Sequence, residues 1–217
     1  MSMGGRLAAR VLWGCALVLA AGGVFIVAQR LADVTHSTRT GDLPAPGSFE
    51  AGFAANPGLT ALHILPGFLL VVLGPLQFVP GIRARHIGVH RWSGRILVAA
   101  GFVVGLSALT LGFRIGFGGP SEVAATVVFA GIFLFALGKA VMHIRRGEVA
   151  RHREWMLRAF AVGLAVVTIR PIVALFFLFS SLSLRDVLGT AFWLAFTLHL
   201  IVAEIWINHT RSRGAAP

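Results

Sequence analysis

Six stretches of the chain run apolar almost without interruption: 11–28, 59–79, 96–111, 123–141, 159–179 and 187–207. Each approaches the ~20 residues that a helix rising ~1.5 Å per residue needs to cross ~30 Å of hydrocarbon. The third is short and is expected to borrow length from its flanks. None shows the ten-residue alternation of a membrane barrel strand, so helices are expected rather than strands. The pattern therefore predicts an all-α fold, a six-helix transmembrane bundle.

The polar positions between the runs set its orientation. Arg6 and Arg10 precede the first run, Arg83, Arg85, Arg91 and Arg95 fill the second-to-third connection, and Arg145, Arg146, Arg151, Arg153 and Arg158 fill the fourth-to-fifth. Arg211 and Arg213 follow the last run, whereas the intervening connections mix Arg39, Arg114 and Arg185 with Asp33, Asp42, Glu50, Glu122 and Asp186. By the positive-inside rule both termini are cytoplasmic. The expected divisions are a cytoplasmic start over 1–10, an anchor helix over 11–28, an extracytoplasmic loop over 29–58, a five-helix core over 59–208 and a cytoplasmic tail over 209–217. The basic start and the small residues around 20–23 also fit a cleaved signal peptide, but the apolar stretch continues to 28, which favours an anchor. The segment 35–57, rich in Pro, Gly, Ser and Thr, reads as a loop.

Composition agrees with a membrane protein. The chain is 57% hydrophobic and 12% charged, with mean hydropathy +0.84, against about 45–50% and about 25% for soluble domains. The net charge of +11 does not imply nucleic acid, because the basic residues sit between spans where orientation and lipid headgroups account for them. The expected setting is a bacterial inner membrane crossed several times, with the bilayer as the first partner. The sole cysteine, Cys15, excludes an internal disulfide.

Spacing by three and four puts residues on one helix face. The second run collects His63, Gly67, Leu70, Gly74, Gln77 and Gly81. The third collects His90, Gly94, Leu97, Gly101, Gly105, Ala108 and Gly112, and the fifth His152, Met156, Ala159, Gly163, Val166 and Arg170. Small stripes let membrane helices approach closely, and they also leave a slot for a flat cofactor. The two readings are compatible at different levels of one helix.

Chemistry concentrates in two echoing connections, HRWSGRI and RHREWMLR. His90 and His152 fall at the same cytoplasmic boundary, where two imidazoles from facing helices would ligate haem iron. Arg91, Arg95, Arg153 and Arg158 would meet the propionates, with Gln77 and Glu204 near. The same residues could hold a quinone or lipid head, or simply anchor the loops to phosphates. His86, His90, His143 and His152 share that side, but the surrounding positive charge opposes a bare metal cation. Arg170 lies inside the fifth run at a cost of roughly 2.5–3.5 kcal/mol, with His63 or the Val167 carbonyl freed by Pro171 as partner. Glu204 reads as a counter-ion to Arg91 or Arg95, and His199 lies about two turns in. Trp92, Trp155 and Trp206 read as an interfacial belt. No nucleophile–base pair, phosphate loop or carboxylate pair is present, so no catalytic residue is named.

The stretches LHILPGFLLVVLGPLQF, HRWSGRI, RHREWMLRAF, TIRP and WLAFTLHLIVAEIWI together resemble a bacterial integral membrane family, domain of unknown function 2306, over about 56–207. His63, Gly74, Gln77, His90, Arg91, Gly94, Arg95, His152, Arg153, Trp155, Met156, Arg158, Arg170 and Glu204 carry the likeness. The family's usual aromatic after Gly-Arg is replaced by Ile96 and Leu97. The resemblance implies a membrane protein and brings no established activity. The HR-x-x-GR stretch is also distantly similar to haem A synthase and b561-type cytochromes, as analogy only. The leading expectation is a small haem b-binding or redox-linked protein with His90 and His152 on the iron. The competing one is a non-redox transporter-like or lipid- or quinone-binding protein using His63, Gln77, Arg170, His199 and Glu204. A structural or assembly subunit is the third.

Overall fold

The computed structural model describes residues 3–40 and 44–214. Arg6, Arg39, Asp42 and Arg213, which entered the charge pattern, lie outside the described side chains. The elements are α1 (Met3–Thr40), α2 (Phe49–Ala54), α3 (Pro57–Leu73), a 3-10 turn (Pro75–Phe78), α4 (Pro80–Arg85), α5 (Ile87–Ile115), α6 (Gly119–Arg145), α7 (Val149–Phe179) and α8 (Leu184–Gly214). Six helices are long and apolar enough to cross a membrane: Leu7–Asp33, Pro57–Phe78, Ile87–Ile115, Gly119–Arg145, Val149–Phe179 and Leu184–Arg211. Each contains one of the six apolar runs or nearly all of it, and the short third run is indeed extended by both flanks.

The segment read as a loop is more helical than its composition suggests. α1 continues to Thr40, and α2 folds back over the bundle with Phe49 edge-on to Phe117 at 5.6 Å between centroids. Ser48 caps α2 by accepting the Ala51 N–H at 3.1 Å, a bond that Ser supplies well at a helix start. The apolar Phe49 and Phe53 hidden among small residues are what loop composition concealed.

Short connections make sequential helices antiparallel neighbours. Between α6 and α7 the chain turns through Gly147, at φ 75°, which a side chain would resist. Glu148 closes this turn, its N–H on the His143 carbonyl at 2.9 Å and its carboxylate on His143 Nδ1 at 2.6 Å. That bond holds the Glu148 carboxyl below its ordinary pKa.

α6 is the central helix and packs against α5, α7 and α8. Phe129, Phe133 and Leu137 of α6 meet Val162 and Ile169 of α7 and Phe196 of α8 in the core. The small stripe of α5 serves this packing in part. A Cβ at Gly101, Gly105 or Gly112 would stand 2.7, 2.6 and 2.9 Å from Leu137, Leu134 and Thr126 of α6. α3 lies beside α5, touches α7 only lightly, and α1 packs on both α3 and α7. A gap therefore remains between the α3–α5 pair and α7, with α6 at its back and α1 at its front.

Candidate functional site

That gap is a slot of about 360 Å3, and its lining comes largely from the faces that spacing had picked out. His63, Gly67, Leu70, Gly74 and Gln77 line it from α3 and the 3-10 turn, and Met156, Ala159, Gly163, Val166 and Arg170 line it from α7. α3 breaks at Gly74-Pro75 because Pro75 cannot continue the helix ladder, and a Cβ at Gly74 would meet Phe160 Cε2 at 2.7 Å. The break turns Gln77 inward, where it is buried and donates from Nε2 to Ser93 Oγ at 2.7 Å. By contrast, a Cβ at Gly67 or Gly163 would find its nearest neighbour at 3.9 Å, so here the small residues leave space.

The polar groups of the slot are few. His63 Nδ1 lies 3.0 Å from Ser107 Oγ. Ser107 Oγ in turn donates to the Val103 carbonyl at 2.7 Å or the Val104 carbonyl at 3.0 Å, so the hydroxyl and the imidazole form one small polar cluster between α3 and α5. Glu122 is buried in the first turn of α6 and its carboxylate accepts the Gly118 N–H. Arg170 lines the slot and lies about 14 Å of helix axis short of Phe179, at ~1.5 Å per residue. It has neither of the partners expected for it: His63 is held by Ser107, and no hydrogen bond joins Arg170 to Val167 or to any other described residue. Its charged neighbours are Arg30 of α1 and Glu50 of α2, neither in ion-pair contact with it.

Arg30 was missed in the sequence. It follows the apolar run by two residues, where a charge draws no notice. Its signal was its place on the same face as Gly23, Ile26 and Val27, all of which line the slot. Glu122 and Ser107 were missed for a related reason: one looked like a loop charge, the other like a helix-compatible small residue.

At the arginine-rich end, His90 and His152 stand in the fourth positions of α5 and α7, both half-buried and within electrostatic reach of one another. His152 Nδ1–H donates to the Ala140 carbonyl at 2.9 Å, leaving Nε2 with its lone pair. His90 Nδ1 is buried without a partner. Neither ring lines the slot.

The arginines do not converge on this pair. Arg95 lies over Trp92 at 5.4 Å. Arg158 forks onto Glu204, Nε to Oε1 at 2.5 Å and a terminal nitrogen to Oε2 at 2.9 Å. Glu204 is thus the counter-ion of Arg158, not of Arg91 or Arg95, which sit across the bundle on α5. Arg91 and Arg153 are exposed. Trp155 packs edge-on to Phe135 at 5.5 Å and under Arg158 at 4.5 Å. His199 Nε2 meets Thr168 Oγ1 at 2.8 Å, tying α8 to α7 without reaching Glu204's pair. Among the described residues no three or more of His, Cys, Asp and Glu gather as a metal site, and His143 is occupied by Glu148.

Six spans enclosing a lateral slot define a multi-pass α-helical membrane protein. The chain belongs to the family of predicted membrane proteins called domain of unknown function 2306, whose pattern matches residues 60–207. No curated protein and no solved structure matches it. The match begins inside α3, so α1, which closes the slot and supplies Arg30, lies outside the matched part.

Proposed function

We propose that this protein binds an amphiphilic small molecule of the lipid or quinone kind in the intramembrane slot. One observation carries the reading: an apolar slot, walled by the glycine faces of α3 and α7, in which Arg170 has no hydrogen-bond or ion-pair partner among the described residues and the His63–Ser107 pair supplies further polarity. A volume of about 360 Å3 falls within the roughly 300–1,000 Å3 usual for small-molecule sites, which are mostly apolar with a few placed polar groups. The apolar part of the ligand would replace lipid contacts, while the polar part would meet groups that are otherwise left unsatisfied at a cost. Lysine and arginine bias further supports setting the His90–His152 end in the cytoplasm of a bacterial inner membrane.

The test is to fill the slot. Gly163→Phe and Gly67→Phe place a ring in the slot from positions where a Cβ makes only ordinary contact at 3.9 Å, so the fold should survive while binding of a fluorescent long-chain amphiphile falls by at least about tenfold. Binding that is unchanged in both variants rejects the slot as the site.

Haem binding is retained as a second reading because of the orphaned His90 Nδ1 and the free Nε2 of His152. These two rings would hold the iron, whose chemistry would be one-electron transfer. Of the four arginines expected at its propionates, Arg91 and Arg153 remain available. Protein purified after expression with ample haem should then show a Soret band that shifts on dithionite reduction and is lost in His90→Ala or His152→Ala. A spectrum with no Soret band removes this reading.

A further inference from the structure

We infer that the slot's ligand carries an acidic head, a phosphate or carboxylate on an apolar chain, held between Arg30 and Arg170. The inference rests on the slot reading above and goes further, by naming the chemistry of the head.

Arginines from two different helices line one cavity, and the charge of Arg30 reaches Arg170. Like charges at short range in a poor solvent repel, and the ordinary remedy is a carboxylate between them. None is there among the described residues. Glu50 is near Arg170 but makes no ion pair with it. Glu122 lines the same slot, yet its carboxylate is committed to the Gly118 N–H and pairs with neither arginine. Arg30 stacks over Phe53 at 5.1 Å, which orients its plane without neutralising it. Elsewhere this protein does pair a half-buried arginine: Arg158 has Glu204 as a forked partner. Two arginines without an ion pair among the described residues are therefore a local feature of the slot. Guanidinium groups fork onto phosphate and carboxylate oxygens, and an anion seated between two of them removes the repulsion that the empty slot retains.

Placement fixes the ligand's orientation. The arginines occupy the end of the slot nearest α2, and Gln77 and Phe78 lie at the other end. An acidic lipid would thus lie with its head under α2 and its chain along the Gly67 and Gly163 faces. α1 touches the bundle mainly through α3 and α7. Gly23 lets it come close, a Cβ there standing 2.8 Å from Val71 Cγ1. α1 thus forms the slot wall that faces lipid on its other side.

The experiment uses the full chain in a non-ionic detergent and compares four probes: lysophosphatidic acid, oleic acid, lysophosphatidylcholine and inorganic phosphate. Binding is followed by thermal shift and by native mass spectrometry. Either or both acidic lipids should bind at least about tenfold more tightly than lysophosphatidylcholine, as charge-assisted forks require. Which of the two wins assigns the head to phosphate or to carboxylate. Inorganic phosphate alone should not bind, and if it binds as well as the lipids the chain-bearing ligand is overturned. Arg30→Gln and Arg170→Gln should each erase most of the acidic preference, bringing the acidic lipids toward the affinity of lysophosphatidylcholine. Arg30 projects from the outlying helix, so Arg30→Gln tests the idea even where Arg170→Gln does not fold. Equal affinity for acidic and zwitterionic lipids, or a preference that survives Arg30→Gln, overturns the inference. If lysophosphatidylcholine binding is still lost in Gly163→Phe, the slot reading stands while the acidic head falls. If Gly163→Phe changes nothing for any probe, both fall.

Discussion

Replacing Glu204 by Gln is expected to lower stability by about 2–3 kcal/mol, more than replacing Arg158 does. Breaking a fully buried ion pair costs about 3–5 kcal/mol because the surviving charge is stranded. Here the two ends are unequally buried, with the Arg158 side chain 15% exposed and Glu204 43% exposed. Loss of the carboxylate strands the buried guanidinium. Loss of the arginine leaves a carboxylate that can still reach solvent, so Arg158→Gln should cost less, about 1–2 kcal/mol, including the lost stack on Trp155. The double variant should cost less than the sum of the singles, because contacting partners couple. Thermal unfolding in detergent of all four proteins measures this. Single-variant losses that simply add, or a Glu204→Gln variant as stable as the parent, would show that the fork contributes nothing.

The same pair shows how far the sequence could be read. The six helices were legible because hydrophobic length in a bilayer leaves few alternatives. All three glycine stripes reach the slot, since a helix face follows from spacing alone. What spacing could not say was which stripe is filled by a neighbour. Gly101 and Gly105 of α5 look no different in sequence from Gly67 and Gly163, yet a Cβ at the first two would press on Leu137 and Leu134 at 2.7 and 2.6 Å, while at the others it would only touch Val104 and Phe133 at 3.9 Å. Pairings across helices were also out of reach. Depth placed Glu204 near several arginines, but only the neighbouring of α7 and α8 selects Arg158 over Arg91 and Arg95. Arg30 was hidden by the end of an apolar run, where arginines are ordinarily read as headgroup contacts. For the histidines, spacing puts His90 and His152 at matching positions of α5 and α7, but the Ala140 carbonyl that fixes one tautomer belongs to a backbone no side-chain pattern reports.

Gly189→Ala should destabilise the bundle although alanine is the better helix former. The substitution gains up to about 1 kcal/mol of helix propensity. Against this, a Cβ at Gly189 would lie 2.7 Å from Ser121 Cβ and 2.9 Å from the Glu122 backbone nitrogen. The first turn of α6 cannot swing aside as a leucine tip can, so α8 must move as a whole. Overpacking of this sort costs about 1–3 kcal/mol, and a backbone obstacle puts it at the upper end. The net expectation is a loss of about 2 kcal/mol, with a further loss for Gly189→Val. The displaced turn is the one in which Glu122 accepts the Gly118 N–H, so the α5–α6 connection should loosen with it and exchange its amides faster. Gly131→Ala and Gly138→Ala are the controls, because a Cβ at either meets nothing within 4 Å. They should be neutral or gain up to about 1 kcal/mol from propensity alone. A Gly189→Ala protein that melts with these controls would mean that α6 and α8 do not approach as closely as Ser121 and Gly189 place them.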